Sequence, residues 1–282
     1  MSACLITHHK AGTHWSKYFL ANYVALVINR GNTARIDFDE MEELYFPIRI
    51  DAYFAGAKVV PRHPLATSLR SHFGVEAIYW AHLDPKQKAR FSAINKVIFQ
   101  CRNPMDFLVS KFHYDVKRIN DRAGYSNLPA ISSPSDLHPK ATTVWCEIFS
   151  TMVDLARTNA ARNAIVSYEQ LKANPEIFFG RIVKHLFGES NPDYLLEAIA
   201  NATIDKSRED EIKRSKPIVG PTYSIKGHSL VAGSFARSGV VGQFNQNFDS
   251  IQQDVIEDFV LNNLDEDARA VFDDVFSSLG AI

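Results

Sequence analysis

Leu5–Tyr18 reads "LITHHKAGTHWSKY". A short apolar run, Ala3–Ile6, leads into Lys10, Gly12 and Thr13, and "WSKYFLANYVALVI" beyond them reads as a helix. A strand, a tight turn carrying a lysine and a helix start together aim backbone N–H groups and a positive dipole end at an anion. The usual nucleotide loop, G-x-x-x-x-G-K-[ST], is not met here, because the lysine precedes the only glycine. The stretch is therefore either an ordinary strand–helix turn or a phosphate binder of another class.

Working outward, the same alternation recurs. "NTARIDFDEMEELYFP" is mixed and acidic, a loop with a short helix, and "AIYWAH" (Ala77–His82) is a strand ended by Asp84-Pro85. "KQKARFSAI" links to "KVIFQCRNP", a Val/Ile/Phe run expected to be a buried parallel strand. Pro104 suits the first turn of the helix that follows. Asp121–Lys140 is rich in loop formers and is expected to be a mobile lid or substrate loop. A helix over Thr142–Asn159, a strand "AIVSYE", and a helix "FFGRIVKHLFG" closed by Gly188 come next. Charged helices, a Gly/Ser/Pro-rich stretch (Ser215–Gly242) and an amphipathic helix near Asp249–Leu261 complete the chain.

Strands alternating with helices predict an α/β fold: one domain over 1–282 with a central, mostly parallel sheet flanked by helices. In that architecture ligands bind at the carboxyl ends of the strands. Lys10, His82, Arg102 and Tyr168 all end or directly follow such strands.

Composition narrows the function. The 282 residues carry a formal net charge of −1, so no global basic field favours nucleic acid or an acidic membrane surface. Cys4, Cys101 and Cys146 are odd in number and far apart, which argues against a disulfide framework and suits a reducing compartment. The N-terminus lacks a basic region followed by an apolar stretch, and no segment reaches the length of a membrane span. A cytoplasmic protein without nucleic-acid or membrane partners is expected.

Individual residues carry two readings each. Lys10 is a solvated turn lysine or a cation against a phosphate. Trp15 is core or an aromatic face for a purine. Arg102, at the end of an apolar strand, needs either an anionic ligand or a carboxylate such as Asp106. Ten histidines include the pair His8-His9 and isolated His63, His72, His82 and His113, none with metal-ligand spacing, so no metal is expected. His82 ends a strand where Lys10 and Arg102 also emerge, and a neutral imidazole there can accept a proton. "RSGVVGQF" (Arg237–Phe244) pairs a basic residue with two glycines that serve a turn or admit an anion to the backbone.

Four stretches, in this order, resemble the soluble cytosolic sulfotransferases that use 3′-phosphoadenosine 5′-phosphosulfate (PAPS). "HHKAGTHW" resembles P-K-S-G-T-T-W, the loop that holds the 5′-phosphosulfate. "VIFQCRNPMDFLVSKFH" resembles V-I-Y-V-x-R-N-P-x-D-x-x-V-S, whose arginine and serine bind the 3′-phosphate. "IVSYEQLKANPEIFFGRIVKHLFG" is similar to Y-E-D-L…P…I-x-x-F-L-G, whose tyrosine contacts adenine. "RSGVVGQFNQNF" resembles R-K-G-x-x-G-x-W-x-x-x-F, a second 3′-phosphate clamp. The resemblance runs from about Cys4 to Phe248 and answers the opening question. Phosphosulfate needs a turn, a helix N-terminus and a lysine near the bridging oxygen, with no magnesium-binding hydroxyl after that lysine.

The resemblance implies a P-loop-like nucleotide-binding core and sulfuryl transfer from PAPS, with the bisphosphate PAP as product, no metal, and a small-molecule acceptor. Lys10, Gly12, Thr13 and Trp15 match the first loop, with Trp15 expected to stack on adenine, and His14 between them is expected in the same cofactor site. Arg102 and Ser110 match the 3′-phosphate pair, Tyr168 the adenine contact, and Arg237, Ser238 and Gly239 the late clamp. His82 matches the general base of T-H-L-P, with His63 in "RHPL" as runner-up, and Ser207 the serine preceding the clamp. His9, Ala11 and His14 replace the loop's proline, serine and second threonine, and Ser238 replaces the clamp lysine, removing one charge. The family's K-x-x-x-T-V-x-x-x-E dimer segment appears as Asn245, Asp249, Ser250 and Asp254, so that dimer is not expected.

The implied roles are His82 as base and Lys10 as stabiliser of the departing phosphate. The rivals are a kinase-like phosphotransferase of related fold and a module that binds PAP without turnover. Arg35–Ala57 and Asp121–Lys140, with Phe46, Tyr53, Phe54, Tyr114 and Tyr125, are the expected acceptor-pocket elements and suggest a small, partly aromatic or polycyclic acceptor.

Overall fold

The protein is described by a computed structural model covering residues 2–44, 46–47, 63–91, 94, 96–120, 131–214 and 239–276. Strand β1 (Ser2–Thr7) enters α1 (Thr13–Ile28), and α2 (Phe38–Leu44) precedes the two-residue β2 (Phe46–Pro47). Helix α3 (Pro64–Phe73) leads to β3 (Ala77–His82), the short α4 (Lys88–Phe91), β4 (Lys96–Cys101) and α5 (Pro104–Asn120). After α6 (Lys140–Thr158) come β5 (Asn163–Ser167), α7 (Tyr168–Ala173), α8 (Pro175–Phe187), α9 (Pro192–Asn201) and α10 (Ile204–Arg214). Helices α11 (Ser250–Asn263) and α12 (Glu266–Phe276) end the described chain.

The sheet order is β2-β3-β1-β4-β5 and every pairing is parallel. The α/β expectation holds, and "mostly parallel" becomes wholly parallel among the described strands; β2 adds only its two residues. Side chains alternate across a strand, so β1 feeds two cores. Ala3 and Leu5 join the cluster built with α1, α2, α3, α8 and α9, while Cys4 and Ile6 join the one built with α5, α6, α11 and α12. All six β1 residues are buried, as expected of a strand covered on both faces.

Several boundaries differ from the sequence reading. The strand expected to run through Glu169 stops at Ser167. There a capping box forms: Gln170 N donates to Ser167 Oγ at 3.1 Å, and Ser167 N donates to Gln170 Oε1 at 3.0 Å. Those bonds start a helix at Tyr168 and turn its side chain, with that of Glu169, into the strand ends. Helix α6 starts at Lys140 and ends at Thr158, each boundary slightly N-terminal to the expected one. Helix α12 was not anticipated, although Asp265 Oδ1 accepts from Ala268 N at 2.8 Å as an ordinary N-cap. Within the expected lid, residues 121–130 lie outside the described residues, and Pro134–Leu137 forms a single 3-10 turn.

Candidate active site

The turn between β1 and α1 is built by two positive-φ residues, Lys10 at 64° and Gly12 at 81°, a conformation that reverses the chain within five residues. Gln100, a polar residue inside the apolar β4, fixes this turn. Its Nε2 donates to the Ala11 carbonyl, its Oε1 accepts from Ser16 Oγ at 2.6 Å, and its backbone carbonyl accepts from His8 N at 2.8 Å. The N-terminus of α1 therefore opens at the end of β1, beside the carboxyl end of β4.

Arg102 follows β4 and is 7% exposed. Its Nη1 donates to the Lys10 carbonyl at 3.3 Å and its Nη2 to the Val240 carbonyl at 3.1 Å. One guanidinium thus joins the opening turn to the loop that follows Gly239. Asp106 and Glu169 flank it, each 3.9 Å away and beyond hydrogen-bond reach. Its Nε is buried with no hydrogen-bond partner among the described residues. Asp106 instead fastens the late loop to α5, accepting from Gly242 N at 2.8 Å and Phe244 N at 3.2 Å.

Tyr168 lies between the two loops. Its ring is under the Arg102 guanidinium, 4.8 Å from the ring centre, and meets Trp15 edge-on at 5.6 Å. A Cβ at Gly12 would come within 2.7 Å of Tyr168 Cε2, and one at Gly239 within 3.5 Å of its hydroxyl. Burial pushes the Tyr168 phenol up to about 12. Trp15 also packs on Phe179 at 5.0 Å, and Lys172 Nζ is 5.3 Å from the centre of its ring.

On the other side of the turn, Thr7 Oγ1 is 2.7 Å from Thr13 Oγ1 and 3.0 Å from His82 Nδ1. His82 Nδ1 also lies 3.3 Å from the Thr7 carbonyl, and the His9 ring lies tilted against the imidazole with ring centres 4.0 Å apart. Burial, assisted by His9, lowers the His82 pKa to about 3, so the ring is neutral at physiological pH. Lys10 Nζ lies 4.3 Å from the centre of the Tyr114 ring.

A sulfotransferase domain family model matches residues 2–267 of this chain. The chain belongs to the sulfotransferase domain family. Among solved structures, mouse sulfotransferase SULT7A1 complexed with PAP matches this sulfotransferase at 19% identity and a TM-score of 0.59, over 98% of this chain and 88% of that one. Retinol dehydratase in complex with androsterone and inactive cofactor PAP matches at 15% identity and a TM-score of 0.57, over 94% and 81% of the two chains. These likenesses establish the shared fold. No curated protein matches the chain in sequence.

The fold brings Lys10, Gly12, Thr13, Trp15, Arg102, Tyr168 and Gly239 of this sulfotransferase to one sheet edge, with His82 across the turn. His14 stacks on Phe38 at 5.8 Å. Ser110 is half-buried two turns into α5. Ser207 is not tied to this group, since its Oγ donates to the Thr203 carbonyl of its own helix at 3.1 Å. His63 is a helix cap, its Nδ1 accepting from Leu65 N at 3.2 Å. Arg237, Ser238, Tyr53, Phe54 and Tyr125 lie outside the described residues.

Three residues escaped the sequence reading: Thr7, Gln100 and Glu169. A glutamine within "KVIFQC" was a visible signal, because a buried polar side chain demands partners. Among the described residues no helix is long and apolar enough to cross a membrane, and no group of three or more His, Cys, Asp or Glu is arranged to hold a metal.

Proposed function

We propose that this sulfotransferase moves the sulfuryl group of PAPS to a hydroxyl or amine of a small-molecule acceptor. One observation carries the reading: Arg102 Nη1 donates directly to the Lys10 carbonyl, so the two cationic residues expected at opposite ends of the nucleotide share one cleft edge. The donor set fits such a ligand. Gly12 lets backbone approach where no Cβ could stand, and the buried Arg102 Nε has a proton that no acceptor among the described residues takes.

Lys10, Gly12, Thr13 and His14, with the N-terminus of α1, would hold the 5′-phosphosulfate. Trp15 and Tyr168 would flank the adenine, and Arg102, Ser110 and Gly239, with Arg237 and Ser238, would hold the 3′-phosphate. Bound PAPS supplies an activated sulfuryl group on a phosphate leaving group.

The chain's own work is then electrostatic and positional. The Lys10 ammonium stabilises charge developing on the leaving oxygen. His82, donating Nδ1–H to the Thr7 carbonyl, keeps the Nε2 lone pair for the acceptor's proton. Thr7, bonded to both Thr13 and His82, fixes the imidazole relative to the helix N-terminus.

Retinol dehydratase, a structural neighbour, has been solved with androsterone and with retinol. A small apolar alcohol is accordingly the acceptor class to try first. Incubation with radiolabelled PAPS and a panel of alcohols and amines, in the presence of a chelator, is expected to label the acceptor. Phosphate transfer from ATP that requires magnesium would support the kinase-like reading. Tight PAP binding with no transfer to any acceptor would mark a non-catalytic module.

A further inference from the structure

Glu169, the residue after Tyr168, is 2% exposed and packs against the guanidinium assigned to the 3′-phosphate. Its Oε1 accepts from Asn103 N at 3.1 Å and stands 3.9 Å from Arg102 Nε. Its Oε2 and that Nε are both buried, and neither has a hydrogen-bond partner among the described residues. A carboxylate and a guanidinium thus face each other without closing the bond that two such groups make when nothing else is needed. Asp106, 1% exposed, lies on the far side of Arg102, but its oxygens are taken by the amides of Gly242 and Phe244.

We propose that Glu169 is a positioning residue for Arg102 that takes up one proton from solvent when a 3′-phosphate binds. The proposal rests on the assignment of Arg102 to the 3′-phosphate. In the free protein one guanidinium is balanced by two carboxylates. A dianionic phosphate on Arg102 would set three anions about one buried cation, where water cannot screen them. Protonating Oε2, the oxygen with no donor, removes one of these anions and leaves the Asn103–Oε1 bond intact. Both Asp106 oxygens already accept amide hydrogens, whereas Glu169 Oε2 has no donor among the described residues, so Glu169 is the group with room for the proton.

The charged and titratable groups facing Glu169 among the described residues are Arg102 at the end of β4, Asp106 on α5, and the neighbouring Tyr168 and Cys101. Burial, opposed by Arg102, already raises the Glu169 carboxyl to about 7. An added anion moves it further in the same direction. Affinity for the bisphosphate should therefore fall as pH rises above 7, by up to about tenfold per unit.

The test is calorimetric titration of the full chain at pH 8 in two buffers of different ionisation enthalpy, which counts protons taken up. At this pH the nucleotide's phosphates have already lost their second proton, near pH 6. Adenosine 3′,5′-bisphosphate is expected to bind with uptake approaching one proton, and adenosine 5′-phosphate, lacking the 3′-phosphate, with none. In Glu169→Gln, which keeps shape and size, the uptake should vanish and the affinity should become flat between pH 7 and 9. Equal uptake for both nucleotides, or an unchanged count in Glu169→Gln, overturns the proposal. Should the variant not fold, the comparison of the two nucleotides on the native protein decides alone. Absence of any bisphosphate binding would instead overturn the assignment of the nucleotide site.

Discussion

Tyr168 leaves no room for a side chain at Gly12: a Cβ there would lie 2.7 Å from Tyr168 Cε2 and nearer still to Cδ2. Gly12 is also at φ 81°, where any side chain is strained. Gly12→Ala should displace Tyr168 and open the turn. Loss of measurable PAP binding with a lowered Tm is expected, by thermal shift with and without nucleotide; native binding would show that the turn tolerates the extra methyl.

Lys10→Ala should cut turnover by about two powers of ten or more, comparable to loss of one oxyanion donor. The backbone carbonyl that Arg102 grips survives the substitution, so PAP affinity should change far less than kcat. Near-normal kcat in steady-state assays would remove Lys10 from the chemistry.

Arg102→Lys keeps one charge but not the planar fork that reaches both the Lys10 and Val240 carbonyls. Hydrogen bonds to charged groups contribute about 1.5–3 kcal/mol, so PAP should bind at least tenfold more weakly. Binding of adenosine 5′-phosphate should be affected much less, and an equal loss for both nucleotides would argue against contact with the 3′-phosphate.

His82 predicts a pH profile. With its pKa lowered to about 3 by burial, the imidazole of the free enzyme stays unprotonated throughout the neutral range. For an acceptor that does not titrate, kcat/KM should not fall between pH 8 and 5 through this group. Anionic nucleotide beside the ring favours its protonated form, so the acidic limb of kcat should lie at higher pH than that of kcat/KM. A limb near 6.5 in kcat/KM that disappears in His82→Asn would contradict the burial argument.

His8 gives a stability counterpart. It is 1% exposed, its Nε2 has no hydrogen-bond partner among the described residues, and burial lowers its pKa to about 3. The unfolded chain binds this proton below about 6.5 while the folded chain does not, so stability is lost as pH falls from 6.5 toward 3. The slope approaches about 1.4 kcal/mol per pH unit from this residue. Urea unfolding across that window should be shallower with pH in His8→Gln, and parallel curves would show that the shift lies elsewhere.

Much of this was legible in the sequence because parallel strands buried on both faces read as short apolar runs. "AIYWAH" coincides with β3 residue for residue, and the run "KVIFQCRNP" contains β4, which stops at Cys101. The opening turn was readable because Gly12 and Lys10 sit where a strand must become a helix. What escaped depends on contacts distant in sequence. Nothing local marks Thr7 as the link between Thr13 and His82, since that bond exists only once β1 and β3 pair in register. Glu169 was hidden for a related reason: it read as the end of a strand, where it would point to one face of the sheet, and the capping box at Ser167 turns it toward Arg102 instead. Ser207 shows the converse, a match in spacing whose hydroxyl its own helix satisfies.

The fastening of the late loop by Asp106 bears on how the chain can be divided. The carboxylate is buried on α5, yet both amides that satisfy it come from more than 130 positions downstream. A fragment cut before Gly242 would retain every described strand of the sheet but leave a buried carboxyl group without its two donors, so it should not fold as an autonomous unit. Reassembly of such a split protein would have to restore that anchorage before any ligand could be held.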